Sequence, residues 1–549
     1  MGRRKRVLFC SEASWLGTGY SVYTKEVLSR LNQISDLEVA ELSCYVDKNN
    51  PKIQSVPWKV FPNKPLPDDP LFQAYNANAS AQFGDHSFNN VLLSFQPDIV
   101  MDIRDWWMIE YQQRSPFRDF FHWAIMPTVD AKPQASQWIN TYASADAVFT
   151  YSEFGRDVLL DQCDSINYID IASPAASNTF HPAPDKVSHR NKMGISPDCI
   201  VVGTVMRNQK RKLYPDLFKS FRRFLDQIDD NSVFLYCHTY YPDVGWNIPE
   251  LLDEYGLASR ALFTYKCKSC GAISVDFFQD TVHACPSCGN FANTLTGVNN
   301  SVTEEELAQV YNLFDIYVQY ANSEGFGMPQ LEAVHCGVPL ISTYYSAMES
   351  VVDNIGAIGI EPLAYYKECE TGCNRAVPNN DKFVQELVKL HQCRDRLPEL
   401  GGQMRDAALR EYNWDKTANA WLKHINTVPI RDARETWLSP TKIIEPAPGI
   451  PENIESNVDR VDFLFNHVLC KPEWIGGYLW KKVLKDCTFG YRCENVNKDF
   501  YFNESHLQST QGNQPFNWDG AYQELKTFRN QINDWERARA QLVQKGGVH

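Results

Sequence analysis

The chain has 549 residues, 44% of them hydrophobic and 22% charged, so it can bury more than one core, and we expect two or three domains. Its formal net charge of −14 disfavours nonspecific binding to nucleic acid or anionic membranes. The apolar run near the start, VLFC, is too short for a signal peptide, and no apolar span reaches the roughly 18 residues of a membrane helix. We therefore predict a cytoplasmic protein with no transmembrane segment.

The first third of the chain alternates between strand-like and helix-like segments. RVLFC predicts a strand, SEASWLGTGYS a glycine-bearing loop and VYTKEVLSRLNQI a helix. Further strands are predicted at DLEVAELSCY, PDIVMDI, FHWAIMP and ADAVFTYS, with EFGRDVLLDQC as a helix after the last. Such alternation favours a parallel sheet covered by helices.

A second series of the same kind begins at CIVVGTVMR. It continues with the amphipathic helix DLFKSFRRFLDQI, the strand SVFLYCH and the helical segment IPELLDEYGL. After a cysteine-rich interruption come the helix EEELAQVYNLF and the strands DIYVQYA and VPLISTYY. Two such series predict an α/β fold of two Rossmann-like, doubly wound domains that face a cleft.

Two breaks in the alternation divide the chain into three parts. The sequence is polar and turn-rich near residues 183–195, and it becomes proline-rich after residue 426. We predict an N-terminal Rossmann-like domain over residues 1–190 and a C-terminal one over 191–425. The second contains an insert at about 263–292, and residues 426–549 form an extension.

The insert carries four of the sixteen cysteines in two C-x-x-C-G knuckles, CKSCG and CPSCG. These cysteines are Cys267, Cys270, Cys285 and Cys288. Two knuckles complete a tetrahedron of thiolates, so we predict a structural zinc ribbon, with a pair of disulfides or free thiols as the alternative. The spacing of Cys470, Cys487 and Cys493 is irregular and does not favour a second metal cluster.

The segment SEGFGMPQLE follows the predicted strand DIYVQYA directly. Gly325 and Gly327 allow a sharp turn before the next helix, whose N-terminal amides suit a phosphate group. Glu324 lies in the loop and Glu332 about one turn inside the helix, so both carboxylates can accept hydrogen bonds from the hydroxyls of one ligand. This spacing predicts a nucleotide-sugar site.

The residues EGFGMPQLE, followed by AVHCGVPLI, resemble the E-x7-E signature of retaining glycosyltransferases of the GT4 type, glycosyltransferase group 1, which have the GT-B fold. The loop GTG near the start, YSEFGRDVL, NTFHP and GTVMRNQKRK match further segments of that family, and YNWDKTANAWLKHI resembles its closing helices. The resemblance covers roughly residues 1–425. It implies an enzyme that transfers a hexosyl or pentosyl group from a nucleotide-sugar with retention of configuration. The N-terminal domain would lie on the acceptor side and the C-terminal domain would bind the nucleotide-sugar.

The resemblance also implies a role for each matching residue. Glu324 would hold hydroxyls of the donor sugar and Glu332 those of the ribose, while Arg207 and Lys212 would neutralise the leaving diphosphate. A solvated basic turn is the alternative for these two cations. The implied donor-binding residues are Gly17, Gly19, Arg207, Lys212, Glu324, Gly325, Phe326, Gly327 and Glu332.

One segment departs from the family pattern. Many relatives have a His-Asp pair after a central strand of the N-terminal domain, and here the sequence is Thr128-Val129-Asp130. Asp130 matches the acid, and Val129 occupies the histidine position. The implied catalytic residues are Glu324, Arg207, Lys212 and Asp130.

The resemblance leaves the acceptor open between a glycan, a lipid-linked glycan, a protein and a modified DNA base, and it implies no catalytic metal. The alternative function is a catalytically inactive GT-B scaffold that binds nucleic acid or protein through the zinc ribbon and the tail. Both acids and both cations are present, which favours the enzyme. An α-glucan phosphorylase shares the fold, but the sequence shows no signal for its pyridoxal cofactor.

Overall fold

The computed structural model describes residues 3–115, 117–297, 300–430 and Trp437. These residues divide into two compact units, one of residues 3–86, 97–108 and 122–430, the other of residues 87–96 and 109–121 with Trp437. Apart from residues 426–430 and Trp437, the predicted extension, with Cys470, Cys487 and Cys493, lies outside the described residues. Within the described ranges, no helix combines the length and the apolar character needed to cross a membrane.

The first sheet has seven parallel strands in the order β3-β2-β1-β4-β5-β6-β7. The strands are β1 Lys5–Glu12, β2 Leu37–Cys44, β3 Lys59–Pro62, β4 Ile99–Asp102, β5 His122–Ile125, β6 Ala147–Thr150 and β7 Ile169–Ile171. The order reverses between β1 and β4, which makes this a doubly wound sheet with a crevice at the carboxyl ends of those strands.

The second sheet has nine strands. They are β8 Ile200–Val205, β9 Val233–His238, β10 Ala261–Cys267, β11 Ile273–Phe277, β12 His283–Ala284, β13 Phe291–Leu295, β14 Ile316–Gln319, β15 Leu340–Thr343 and β16 Ile358–Ile360. The path β10-β9-β8-β14-β15-β16 is parallel, and the short strands β11, β12 and β13 extend it in antiparallel pairing beyond β10. A separate antiparallel hairpin joins β17 Ala364–Lys367 to β18 Asn374–Val377.

Fifteen α-helices are present among the described residues. They are α1 Gly19–Leu31, α2 Phe72–Ala77, α3 His86–Phe95, α4 Trp106–Gln113, α5 Ser136–Ser144, α6 Glu153–Gln162, α7 Lys186–Lys192, α8 Tyr214–Leu225, α9 Ile248–Glu254, α10 Glu304–Tyr311, α11 Met328–His335, α12 Ala347–Ile355, α13 Asn380–Gln392, α14 Leu397–Glu411 and α15 Trp414–Thr427. Several begin at side-chain caps, and α10 has a full capping box in which Thr303 and Glu306 each satisfy the other's backbone amide.

The last described helix, α15, packs against the first sheet and its helix α1. Trp421 is fully buried, and its ring stacks on Phe149 with centroids 3.9 Å apart. Its Nε1 donates a hydrogen bond of 2.7 Å to the hydroxyl of Tyr23, which also meets the ring of Trp414 edge-on at 5.4 Å. Because removing a buried tryptophan typically costs about 3–5 kcal/mol, this contact ties the end of the second series firmly to the first.

The predicted α/β class with two parallel, helix-covered sheets is confirmed. The strands and helices named from the sequence all form, with shifts of a few residues at their ends. The hairpin β17–β18, strands β3, β7, β10–β13 and β16, and helices α2–α5, α7 and α12–α14 were not predicted. The boundaries at residues 190 and 425 stay predictions.

Candidate functional site

The segment SEGFGMPQLE forms the loop between β14 and α11. Gly327 lies immediately before the helix with a left-handed backbone, φ +83°, and a Cβ there would come within 2.9 Å of Nε2 of Gln330. A Cβ on Gly325 would lie only 2.4 Å from Cγ2 of Thr128, in the loop after β5. The turn therefore requires one glycine, and the close approach of the first sheet's loop requires the other.

Glu324 is a buried carboxylate, 4% exposed, held between two cations. Its Oε2 accepts a hydrogen bond from Nη1 of Arg211 and its Oε1 from Nζ of Lys212. Nε2 of Gln319 donates to Oε1 over 2.7 Å, and the Glu324 amide donates to the Ser346 hydroxyl over 2.9 Å. We call Glu324, Arg211 and Lys212 the acid–cation clamp. The clamp brings the donors of Arg211 and Lys212 to the start of α11, where the helix dipole favours an anion. Burial lowers the pKa of Lys212 well below its ordinary value, and the charge of Arg211 adds to this shift.

Arg207 forms its ion pair outside the acid–cation clamp. Its side chain is 57% exposed, and its Nε donates to Asp243 over 2.8 Å. Arg211, four residues later, forms the contact with Glu324 instead, although the sequence analysis did not identify it. An antiparallel bridge between Lys212 and Ala321 brings this basic segment alongside the loop after β14.

Glu332 belongs to a different polar network inside α11. The Tyr311 hydroxyl donates to its Oε2 over 2.7 Å. Burial raises the pKa of Glu332 to about 7, and the hydrogen bond from Tyr311 only partly opposes this. Phe326, another predicted donor contact, is 5% exposed and its ring meets that of Tyr412 edge-on at 5.6 Å, so its side chain packs in the core.

The predicted glycine loop of the first sheet lies against the start of α11. Gly17 has a left-handed backbone, φ +75°, and Thr18 caps α1 by accepting a hydrogen bond from the Ser21 amide over 3.2 Å. A Cβ on Gly19 would lie 3.9 Å from Sδ of Met328, the first residue of α11. The N-termini of α1 and α11 therefore approach one cleft from opposite sides.

Asp130 forms an ion pair across this cleft with Arg375 of β18. The sequence analysis did not identify Arg375. Nη1 of Arg375 donates to Asp130 over 2.7 Å and to the hydroxyl of Ser323 over 2.6 Å. Its Nη2 donates to Glu368 over 2.8 Å, and the arginine is only 6% exposed. Val129, in the position of the family's histidine, is buried at 2% exposure. The Asp130 carboxylate is thus linked to the residue that precedes the clamp's glutamate.

Asp105 is a second acid that the sequence analysis missed. It follows β4, and it hydrogen-bonds the side chains of Thr128 and Tyr20, whose oxygens lie 3.0 Å apart. Burial raises its pKa to about 6; these hydrogen bonds and the positive charge of Arg211 oppose the shift, while the charge of Asp130 adds to it. A carboxylate three residues past a short buried strand gave no motif to recognise.

The four knuckle cysteines come together at the end of β10. Their Sγ atoms all lie within 4.8 Å of one another, with Cys267 to Cys288 and Cys270 to Cys285 each 3.8 Å apart. A tetrahedral zinc ion with bonds of about 2.3 Å places its sulfur atoms about 3.8 Å apart. A disulfide needs about 2.05 Å, so neither pair is bonded, and the group fits a zinc ion.

The two knuckles have the same local structure. Gly271 and Gly289 both adopt left-handed backbones, with φ +75° and +74°. In each knuckle, the amide two residues after the first cysteine points to its sulfur, Cys267 or Cys285, over 3.4 Å. Amides aimed at sulfur stabilise the thiolate form, which is the metal ligand.

Comparison with known proteins adds to this geometry. Residues 296–360, which include both acids of the E-x7-E segment, match the family of glycosyl transferases group 1. The D-inositol 3-phosphate glycosyltransferase of Rhodococcus erythropolis is 23% identical over 261 residues, 46% of this chain and 47% of that protein. The chain therefore spans about half the length of this curated relative.

Solved structures resemble a larger part of the chain. Sucrose-phosphate synthase from Thermosynechococcus elongatus aligns with 77% of this chain and 99% of its own, at 15% identity and a TM-score of 0.56. HepE of Anabaena, solved in complex with UDP and glucose, aligns with 77% of this chain and 100% of its own, at 12% identity and a TM-score of 0.53. Identities this low establish likeness of fold alone. The chain has a GT-B-like α/β fold, as the sequence resemblance implied.

Proposed function

We propose that this chain transfers a sugar from a nucleotide-sugar donor to an acceptor hydroxyl, as a retaining glycosyltransferase of the GT4 type. The observation that carries the proposal is the acid–cation clamp at the start of α11, with the glycine loop of α1 opposite. The match of residues 296–360 to glycosyl transferases group 1 and the likeness of fold to a protein solved with UDP and glucose support it.

The donor's diphosphate binds at the start of α11 in this proposal. There the helix amides, Lys212 and Arg211 offer positive charge that strengthens as the leaving group becomes more negative. Arg207 is exposed, so its side chain can leave Asp243 and add a further positive charge. The absence of a side chain at Gly19 lets the first sheet's loop approach the donor.

The two acids of the segment bind hydroxyls at opposite ends of the donor. Glu324 accepts hydrogen bonds from the sugar, close to the reacting carbon, once Arg211 and Lys212 turn toward the diphosphate. Glu332 accepts them from the ribose, once Tyr311 gives up or shares its hydrogen bond. Asp130 acts through Arg375, which holds the loop after β5 against Ser323.

Retention follows if the acceptor attacks from the face that the diphosphate leaves. The bond from the anomeric carbon to the diphosphate oxygen breaks, the acceptor oxygen forms the new bond on the same face, and its proton passes to the departing phosphate oxygen. The clamp and the helix amides stabilise the charge, and the acids hold the sugar in position.

We further propose that the four knuckle cysteines bind one structural zinc ion. Four thiolates would close the coordination sphere, so the ion would hold the loops beyond β10 together and would take no part in sugar transfer. Free thiolates of this kind suit the reducing cytoplasm, where we place the protein.

A donor screen tests the proposed function. We would measure nucleotide release from UDP-, GDP- and ADP-sugars, with and without acceptors, and follow the anomeric configuration of the first product by proton NMR. One donor should be hydrolysed or transferred, and an α-linked donor should give an α-linked product. Glu324→Ala should abolish turnover, while exposed Glu361→Ala should leave it unchanged.

Two results would contradict the proposal. An inverted product from an α-linked donor would refute the retaining mechanism. Donor binding without hydrolysis or transfer to any acceptor would instead indicate the catalytically inactive scaffold.

A further inference from the structure

Three tryptophans form an aromatic surface on the first sheet's side of the cleft. The rings of Trp106 and Trp138 are nearly parallel, with centroids 6.3 Å apart and 26° between their planes. The ring of Trp107 meets Trp138 at 6.3 Å and 62°. Trp107 is 51% exposed, an unusual position for so large an apolar side chain. We call these three residues the tryptophan platform.

Secondary structure holds the platform in place. Trp106 is the first residue of α4, and its Nε1 donates to the Thr141 hydroxyl of α5 over 2.8 Å. Trp138 lies in the first turn of α5 itself. Rings fixed in this way lose little freedom when a ligand binds to them.

The platform lies next to the proposed reaction site. Trp106 directly follows Asp105 in the turn after β4, and Thr128 lies in the loop after β5, the strand that pairs beside β4. A Cβ on Gly325, next to Glu324 of the acid–cation clamp, would lie 2.4 Å from Cγ2 of Thr128. The platform and the loop that reaches the clamp therefore leave the same edge of the first sheet.

We propose that the tryptophan platform binds the acceptor and that this acceptor is a carbohydrate; the proposal rests on the transferase function above. A sugar ring has a C–H face that packs on an indole and a rim of hydroxyls that donate to a carboxylate such as Asp105. Nucleic acid bases also stack on aromatic rings, but their phosphates need cations nearby. Asp105 can accept hydrogen bonds from hydroxyls and repels phosphates, and the chain carries a net charge of −14, so a neutral glycan fits better.

Binding to defined oligosaccharides tests the proposal. We would titrate the full chain, with UDP present, with maltopentaose, cellopentaose, mannopentaose, chitopentaose and a single-stranded DNA oligonucleotide, and follow saturation-transfer NMR and tryptophan fluorescence. Trp107→Ala should weaken the preferred oligosaccharide about 10-fold or more, whereas Trp107→Phe should stay within about 3-fold. Phe291→Ala, which removes an aromatic ring that is 76% exposed elsewhere, is the matched control and should bind like the unchanged chain.

The outcomes separate this inference from the transferase proposal. Phe291→Ala should hydrolyse the donor in the absence of acceptor as fast as the unchanged chain. If no donor is hydrolysed but Trp107→Ala still loses oligosaccharide binding, the platform stands and the transferase proposal fails. Three results would overturn the platform proposal while the donor is still hydrolysed. They are no binding of any oligosaccharide, oligosaccharide binding by Trp107→Ala equal to that of the unchanged chain, and tighter binding of the oligonucleotide than of every oligosaccharide.

Discussion

Replacing Glu332 with glutamine should remove a pH-dependent destabilisation of the folded state. Burial raises the pKa of Glu332 from 4.5 to about 7 in the folded chain. A carboxyl whose pKa rises on folding contributes stability below its unfolded pKa, and that contribution is lost as the pH rises through the folded pKa. At 1.36 kcal/mol per pKa unit, this group lowers the free energy of unfolding by about 2.5 kcal/mol between pH 5 and pH 8. Glutamine does not ionise and can still accept the Tyr311 hydrogen bond.

Thermal unfolding between pH 5 and pH 8 at constant ionic strength measures this effect. The Tm of Glu332→Gln relative to the unchanged chain should rise by about 3 °C across that range, because a unit of roughly 400 residues unfolds with an entropy of about 0.85 kcal/mol/K. Glu361→Gln, which changes an exposed carboxyl, should show no such trend. A difference that stays flat from pH 5 to pH 8, or that falls at pH 8, would refute the conclusion that ionisation of the half-buried Glu332 carboxyl destabilises the fold.

Three further changes test the site and the insert. Lys212→Ala should lower kcat by about 100-fold or more, and Arg207→Ala should lower it too, because both cations would stabilise the charge of the leaving diphosphate. Normal nucleotide release by both variants would instead indicate that these residues belong only to a solvated basic turn. Gly325→Ala should lower the free energy of unfolding by about 1–3 kcal/mol, because the new Cβ clashes with Cγ2 of Thr128. Adding Thr128→Ser should restore most of the lost Tm, and a failure to do so would mean that this clash is not the cause. Cys285→Ser should reduce the zinc content measured by elemental analysis from one ion per chain to nearly none, with donor affinity little changed. If the unchanged chain, purified without chelator, contains no zinc, the zinc proposal is wrong.

The sequence predicted the fold well because its parallel strands are short, buried apolar runs. Segments such as IVVGTV of β8 are buried along their whole length, and a helix with a clear apolar face follows. The hairpin β17–β18 gave no such signal, since β17 has the sequence AYYK and is exposed throughout. Strand β10 was missed because it continues directly into the first cysteine knuckle at Cys267.

The sequence grouped residues of the candidate site correctly where they are close in the chain and missed contacts where they are not; their roles stay predictions. The E-x7-E segment and the two knuckles each lie within a short stretch with a recognisable spacing. The partner of Asp130 is Arg375, which lies 245 residues further along the chain on an unpredicted hairpin. No local pattern connects them, and only the approach of the two sheets brings them together.

The choice between Arg207 and Arg211 shows how far spacing alone leads. Family spacing selects Arg207, but each buried carboxylate needs a cation beside it. Arg211 and Lys212 pair with Glu324, and Arg207, which is 57% exposed, pairs with Asp243, whose side chain is only 8% exposed. When a diphosphate arrives, it competes for the same cations. If Lys212 and Arg211 move toward the phosphates, the Glu324 carboxylate is freed to accept hydrogen bonds from the sugar. Binding of the diphosphate would thus be coupled to binding of the sugar by Glu324.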